Sequence, residues 1–368
     1  MDERQVWEVA KNYSLLKNLC NQCNLWFMFK NISIIGDGAM GTVLAMLLAE
    51  KNTPVRLWGY DAKQLQEMAG ARENIKFLPG HKLPKTIIFE PDDKKIIADA
   101  DLIISAVPCQ FMRSVWTRLQ KYTPKGVPVC SVAKGIENKT LLRPTQIIAD
   151  VLGSNASRGL AALSGPTIAD ELAARLPATA CVASADDQLA QQIQLTLSIS
   201  WFRIYTNTDV VGVELAGAMK NIIAIAAGII DGVGAGDNAK AALLCRGLAE
   251  ISRLGVAMGA NPQTFAGLTG LGDLVTTCIS PKGRNRSFGE RIGQGQTPLI
   301  AQSATESVIE GIATCKSVVE GLLQQYKVEM PITQAVYDVL FKNKSVQSAI
   351  ADLMTRQLKP ESSTSQKS

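Results

Sequence analysis

Residues 31–41, Asn-Ile-Ser-Ile-Ile-Gly-Asp-Gly-Ala-Met-Gly, set a short apolar run directly ahead of a G-x-G-x-x-G pattern. An unbroken apolar run that stops at glycine is how a strand buried on both faces of a parallel sheet is written. Each glycine has its own task in the turn that follows. Gly36 permits a tight bend, Gly38 lets the backbone approach a pyrophosphate, and Gly41 lets the next helix pack closely on the strand. The start of that helix offers free N–H groups and the positive end of its dipole, which suits an anion. These residues predict a strand–turn–helix unit that binds a dinucleotide coenzyme.

The rest of the first half continues the same alternation. Strand signals recur at 55–58, 102–107, 127–133, 159–164, 178–184 and 202–205, with helical patterns at 41–51, 61–70 and 110–121. Such alternation implies a mainly parallel, doubly wound sheet with helices on both faces. After about residue 207 strand signals become scarce, and helices are expected over 210–230, 238–258, 264–268, 287–293, 307–326 and 332–341. The expected fold class is therefore α/β, a Rossmann-like domain over 31–207 followed by an all-α substrate domain over 208–358. Residues 1–30 read as an N-terminal extension without the pattern of a signal or transit peptide, and the polar residues 359–368 as a disordered tail.

Charge and composition narrow the partners. With 38 Lys plus Arg against 33 Asp plus Glu, the net charge is +5, and no basic run interleaved with aromatics points to nucleic acid. A small surplus of this sign favours an anionic small molecule. The longest uninterrupted apolar stretch, Ile222 to Ile230, ends at Asp231 and is far shorter than the roughly 20 residues that span a bilayer. A buried helix is expected there. The eight cysteines are scattered, and the Cys20-Asn21-Gln22-Cys23 pair has no second pair to complete a metal site. Reduced thiols, no metal and a cytoplasmic location follow as expectations.

The chain contains one histidine, His81, in the segment Leu78-Pro79-Gly80-His81-Lys82, which reads as a solvated loop. Acid/base chemistry then falls to Lys, Asp, Glu, Tyr or Cys. Lysine serves well when burial or a neighbouring cation lowers its pKa. Lys134 follows an apolar strand at its C-terminal end, where ligands bind in open α/β sheets. Lys220, with Asn221, is embedded in the apolar segment 215–224 and needs partners there. Asp273, in the glycine-rich segment 267–278, is suited to pair with a lysine and set its charge state. Gly283-Arg284-Asn285-Arg286-Ser287 precedes a helix, and an arginine there is suited to fork onto a phosphate. Coenzyme choice stays open between NAD and NADP. Asp61 lies near the distance at which an acid binds the ribose, yet is equally placed to cap the next helix; Gly59 and Tyr60 are not basic, and Arg56 can face either way.

Together these segments resemble the bacterial-type NAD(P)-dependent glycerol-3-phosphate dehydrogenase family, from about Asn31 to about Leu353. The resemblance is carried by GDGAMG, Val132-Ala133-Lys134-Gly135, Ser164-Gly165-Pro166-Thr167-Ile168-Ala169, GAMKNIIAIAAGIIDGVGAGDNAKAAL at 217–243, GLGDLVTTC at 270–278 and Arg284-Asn285-Arg286. It implies reversible reduction of dihydroxyacetone phosphate to sn-glycerol 3-phosphate for glycerophospholipid synthesis, by a homodimer. It implies Lys220 as acid/base, with Lys134 touching both substrate and coenzyme. Gly165, Thr167, Asn221, Asp273, Gly283, Arg284 and Asn285 would complete the substrate pocket. Ala39, Met40, Tyr60, Ala169, Arg284, Val308 and Glu310 would reach the coenzyme. The sequence departs from the family at Asp37 and Met40, and Asp37 adds a negative charge near the pyrophosphate.

Overall fold

The structure, a computed structural model, describes residues 28–153, 158–305, 308–358 and 360–361. The expected extension at 1–30 and tail at 359–368 lie outside the described residues, except for 28–30 and 360–361. The strands in chain order are β1 (Ile32–Ile35), β2 (Val55–Trp58), β3 (Glu73–Asn74), β4 (Leu78–Lys82), β5 (Ile87–Phe89), β6 (Leu102–Ser105), β7 (Val129–Ser131), β8 (Leu160–Ser164), β9 (Ala178–Ser184) and β10 (Phe202–Asn207). Among the described residues, eight of them form one sheet in the order β10-β9-β8-β7-β6-β1-β2-β5, and β3 pairs with β4 separately. Every pairing in the large sheet is parallel except β8 with β9. The chain leaves β1 for β2 on one side and later reaches β6 on the other. The crevice at the C-terminal ends of these strands is the topological switch point where open α/β sheets bind ligands.

Side-chain alternation explains the two helical layers. Ile32 and Ile34 of β1 point to one face, where they join Val43, Leu44 and Leu47 of α1 (Ala39–Glu50) and further along Ile193 and Leu197. Ile35 and Ile103 point to the other face and meet Met112 and Trp116 with Ile147. The helices α2 (Ala62–Ala71), α3 (Cys109–Leu119), α4 (Pro144–Leu152), α5 (Ala169–Ala173) and α6 (Asp187–Leu197) complete these layers.

Beyond β10 the chain is helical. Asp209 caps α7 (Val210–Gly232) by accepting from Gly212 N at 2.8 Å. This helix is long and apolar enough to cross a bilayer by length and composition, yet 94% of its apolar window is buried within the protein. Its hydrophobicity is that of a central core helix. Around it lie α8 (Asp237–Ala257), α9 (Pro262–Ala266), a π-turn at Leu268–Gly272, α10 (Asp273–Ile279) and α11 (Arg284–Gly293). Then follow α12 (Pro298–Ser303), α13 (Glu310–Ser317), a second π-turn at Val318–Leu322, α14 (Leu323–Tyr326), α15 (Pro331–Phe341) and α16 (Val346–Met354). Two buried carboxylates tie the helices together. Glu214 accepts from Thr145 N at 2.7 Å and pairs with Arg143, joining α4 to α7. Glu250 accepts from Ile332 N at 2.7 Å and Thr333 N at 3.1 Å, satisfying the free N–H groups at the buried start of α15.

The contact between α7 and α11 is backbone on backbone. A Cβ added at Gly228 of α7 would lie 1.9 Å from Arg286 O, and one at Gly289 of α11 would lie 2.0 Å from Ile225 O. Only glycine allows the two helices to touch at this separation.

Several boundaries differ from the sequence reading. The helix expected over 264–268 runs from Pro262 to Ala266, because Asn261 caps it and proline suits its first turn. The helix expected from 287 begins at Arg284, so Arg284 and Asn285 stand in its first turn and not in a preceding loop. His81 lies in β4 and not in a solvated loop; its Nε2 is 2.9 Å from Asp170 Oδ1.

Candidate active site

The glycine turn has the shape a dinucleotide needs. Gly36 adopts φ +117°, and a Cβ there would stand 2.7 Å from Ala106 O. A Cβ at Gly41 would stand 2.0 Å from Gly36 O, so the helix packs on the turn itself. At Gly38 an added Cβ would meet nothing within 4 Å. Gly38 is also the N-cap of α1, with no side chain on the helix start and no acid in the first turn. Ala39 and Met40 begin α1, Tyr60 stands exposed just past β2, and Ala169 begins α5. An open, uncapped helix start beside a glycine cradle fits a pyrophosphate. Among the described residues no group of three or more His, Cys, Asp or Glu is placed to hold a metal ion.

Three ionisable side chains from three distant segments converge. Lys134 comes from the loop after β7, Lys220 from the middle of α7, and Asp273 from the first residue of α10. One Asp273 carboxylate holds both lysines: Oδ1 is 2.6 Å from Lys220 Nζ and Oδ2 is 2.6 Å from Lys134 Nζ. Lys134 Nζ also donates to Gly165 O at 3.0 Å. Lys220 Nζ donates to Thr277 Oγ1, which lies 3.2 Å from Asp273 Oδ1. Asp273 is 2% exposed and Lys220 6%, so the pairing answers the cost of burying charge. Burial pushes the Lys220 ammonium down to about 8; the Asp273 charge resists that fall and the Lys134 charge adds to it.

A second set of contacts runs beside this cluster. Asn285 Nδ2 donates to Asn221 Oδ1 at 3.1 Å, and Asn285 Oδ1 accepts from Gly311 N at 3.0 Å. Gly283 caps α11 without a side chain, and Arg284 is exposed in the first turn of that helix. Glu310 opens α13; burial raises its pKa, and the charges of Arg284, Lys134 and Lys220 draw it back down. Gly165 takes φ +145° against Ala180, and its carbonyl accepts from Thr167 Oγ1 at 3.1 Å. Ser164 Oγ is buried, has no hydrogen-bond partner among the described residues and faces Gly217, where a Cβ would lie 2.7 Å from it.

The structure thus joins Lys134, Lys220, Asp273, Gly165 and Thr167 directly, and Asn221 with Asn285 beside them. Among the described residues no hydrogen bond or ion pair ties Tyr60, Ala169 or Val308 to the lysines. Thr277 was not singled out by the sequence reading. Its signal is its spacing: Asp273 and Thr277 are four apart on one helix and share a face.

Comparison with known proteins finds relatives over most of the chain. Sequence profiles described as NAD-dependent glycerol-3-phosphate dehydrogenase N-terminus and C-terminus match residues 31–190 and 209–351. A glycerol-3-phosphate dehydrogenase (NAD(P)+) of Citrifermentans bemidjiense is 45% identical over 334 residues, covering 91% of this chain and 99% of the relative. One from Chlorobium phaeobacteroides is 44% identical over 330 residues, covering 90% and 98%. The crystal structure of glycerol-3-phosphate dehydrogenase from Coxiella burnetii superposes with a TM-score of 0.85 at 37% identity, covering 90% of this chain and all (100%) of that one. A ketopantoate reductase from Ralstonia eutropha, at 15% identity and a TM-score of 0.54 over 84% of this chain and 97% of its own, shares the fold alone.

Proposed function

The chain belongs to the NAD-dependent glycerol-3-phosphate dehydrogenase family, and on that premise we propose the roles by which its residues interconvert dihydroxyacetone phosphate and sn-glycerol 3-phosphate. It is an NAD(P)-dependent oxidoreductase, and its product enters glycerophospholipid synthesis. The observation that carries the site assignment is the single Asp273 carboxylate held between Lys220 and Lys134.

When bound, the reduced coenzyme supplies hydride from its nicotinamide C4. Lys220, as the ammonium, donates the proton that the ketone oxygen takes up. Asp273 and Thr277 occupy two of its three N–H groups and leave the third for substrate. A pKa near 8 keeps Lys220 charged at neutral pH while making its proton easy to release. Lys134, anchored by Gly165 O, orients the same oxygen and links the substrate to the coenzyme side. Arg284 and the uncapped start of α11 hold the phosphate. Gly165, Thr167, Asn221, Gly283 and Asn285 shape the remaining pocket. The coenzyme is gripped by Gly36, Gly38, Ala39, Met40 and Gly41, with Tyr60, Ala169, Val308 and Glu310 completing its site. We place the division between the two domains at 207/208, and on family membership alone we extend the reading to a cytoplasmic homodimer.

The direct test is coenzyme oxidation with dihydroxyacetone phosphate, run beside unphosphorylated dihydroxyacetone and ketopantoate. Activity on the phosphate alone is expected; silence with it, in a folded protein that binds coenzyme, overturns the reading. Arg284→Ala should raise the KM for dihydroxyacetone phosphate by about 10- to 100-fold, the worth of a charge-assisted hydrogen bond, with kcat little changed. An unchanged KM removes Arg284 from the phosphate site. The pH profile has a defined sign. Reduction needs protonated Lys220, so its kcat/KM should fall as pH rises through about 8. Oxidation needs the neutral amine and should rise over the same interval. A reduction profile that stays flat through this interval would remove Lys220 as the proton donor.

A further inference from the structure

We propose that Asp37 selects the coenzyme: its carboxylate stands where the adenosine ribose is read, accepts hydrogen bonds from the ribose hydroxyls and repels a 2′-phosphate, so that NADH is taken in preference to NADPH. This rests on the coenzyme site assigned above.

In dinucleotide-binding α/β folds the ribose is commonly read by an acid at the end of the second strand, about 20 residues beyond the glycine fingerprint. Here that stretch is Trp58-Gly59-Tyr60-Asp61. Gly59 has no side chain, and Tyr60 is not an acid. Asp61 is engaged in capping α2, its Oδ1 accepting from Lys63 N at 2.9 Å and Gln64 N at 3.4 Å. The side-chain space that Gly59 leaves empty is filled from the fingerprint. A Cβ built on Gly59 would lie 2.5 Å from Asp37 Oδ2 and 3.1 Å from Asp37 Oδ1. The carboxylate of Asp37 therefore stands in the place of the missing strand-end side chain.

Asp37 is held there. Gln64 Nε2 donates to its Oδ2 at 3.0 Å. Asn74, itself buried, donates through Nδ2 to the Asp37 carbonyl at 2.8 Å and to Thr42 Oγ1 at 2.8 Å, which fixes the turn. Among the described residues no other side chain bonds to Oδ1, which faces Gly59 and is placed to accept from a ligand hydroxyl. Burial is the main influence raising the carboxyl to about 6; a hydrogen bond from its own backbone N–H opposes this, the Asp61 charge adds to the rise and the Lys76 charge opposes it. At neutral pH and above the group is an anion, with the Asp61 carboxylate near it. Two arginines on this side of the sheet are already engaged. Arg56 pairs with Asp99 at 3.3 Å, and Arg118, over the Tyr60 ring, is bound to Asp93 at 2.6 and 2.8 Å. A 2′-phosphate brought here would meet carboxylate, whereas a ribose diol would meet an acceptor.

The test is equilibrium binding. The full chain is titrated with NADH and with NADPH, following nucleotide fluorescence, at pH 8 and without substrate. The unaltered protein should bind NADH at least about 10-fold more tightly, since each tenfold requires only about 1.4 kcal/mol. Asp37→Asn keeps the shape and the Gln64 contact but removes the charge and the second acceptor oxygen, and should tighten NADPH by about 10-fold while weakening NADH by about 10-fold. Asp37→Ser, which shortens the side chain, should move the ratio in the same direction, so the test survives misfolding of either variant. A NADPH-to-NADH ratio that stays within about twofold in folded variants that still bind NADH overturns the proposal and leaves the coenzyme site standing. Failure of the unaltered protein to bind either nucleotide overturns the site and the proposal together.

Discussion

Lys220→Ala should lower kcat for dihydroxyacetone phosphate reduction by about 1,000-fold, within the range that a positioned general acid contributes, while NADH binding changes little. The expectation follows from position. The lysine is buried in mid-helix, and two of its three protons are spent on Asp273 and Thr277. Removing it does not strand Asp273, because Lys134 still pairs with the other carboxylate oxygen. The fold should therefore survive, and the defect should be chemical. Small primary amines added to the solution should restore part of the lost rate, a response that a purely structural lysine would not give. Turnover within about 10-fold of the unaltered enzyme would be too small a loss for a general acid and would end the assignment.

Asp273→Asn should have the second largest effect, and a distinct signature. Two ammonium groups would face one another in a buried pocket with a neutral amide between them. Asp273 resists the fall in the Lys220 pKa and Lys134 deepens it, so losing the carboxylate moves that pKa further below 8. The limb of the reduction profile should shift to lower pH, and kcat at pH 7.5 should fall by about 100-fold as the donor loses its proton and its orientation. Breaking a buried ion pair also destabilises by about 3–5 kcal/mol, which thermal unfolding reads as a lowered Tm. A variant with its pH limb unmoved would show that Asp273 does not control the charge on Lys220.

Much of the fold was legible because its signals are local. Ile32–Ile35 followed by three spaced glycines identifies the first strand and turn without any tertiary information. Lys220 stood out because a charge inside an apolar helix demands partners, and Asp273 because a glycine-rich segment with one acid is a natural place to find such a partner. Other features depend on pairings that one-dimensional patterns do not carry. The antiparallel β8–β9 contact looks like its parallel neighbours in sequence, since β8 and β9 are both largely buried apolar runs. The β3–β4 hairpin is short, only partly buried and contains Pro79 and Gly80, so it reads as loop. Thr277 is an ordinary helical threonine until Lys220 is seen beside it. Asp37 seemed to intrude on the pyrophosphate; its place at Gly59 appears only when the fingerprint and the end of β2 are brought together.

The contact of Gly228 and Gly289 with opposing backbone has a consequence for substrate length. The helix bearing Lys220 and the helix bearing Arg284 touch through main-chain atoms, and Asn221 and Asn285 clasp them again beside the site. Neither helix can slide or part without breaking that seam. On the proposed roles, the proton donor and the phosphate holder are the two jaws of a calliper locked at one opening. A phosphorylated ketone one carbon longer should then meet jaws that do not widen, and discrimination by length should depend on the glycines at the back of the helix pair as well as on the side chains that touch the substrate.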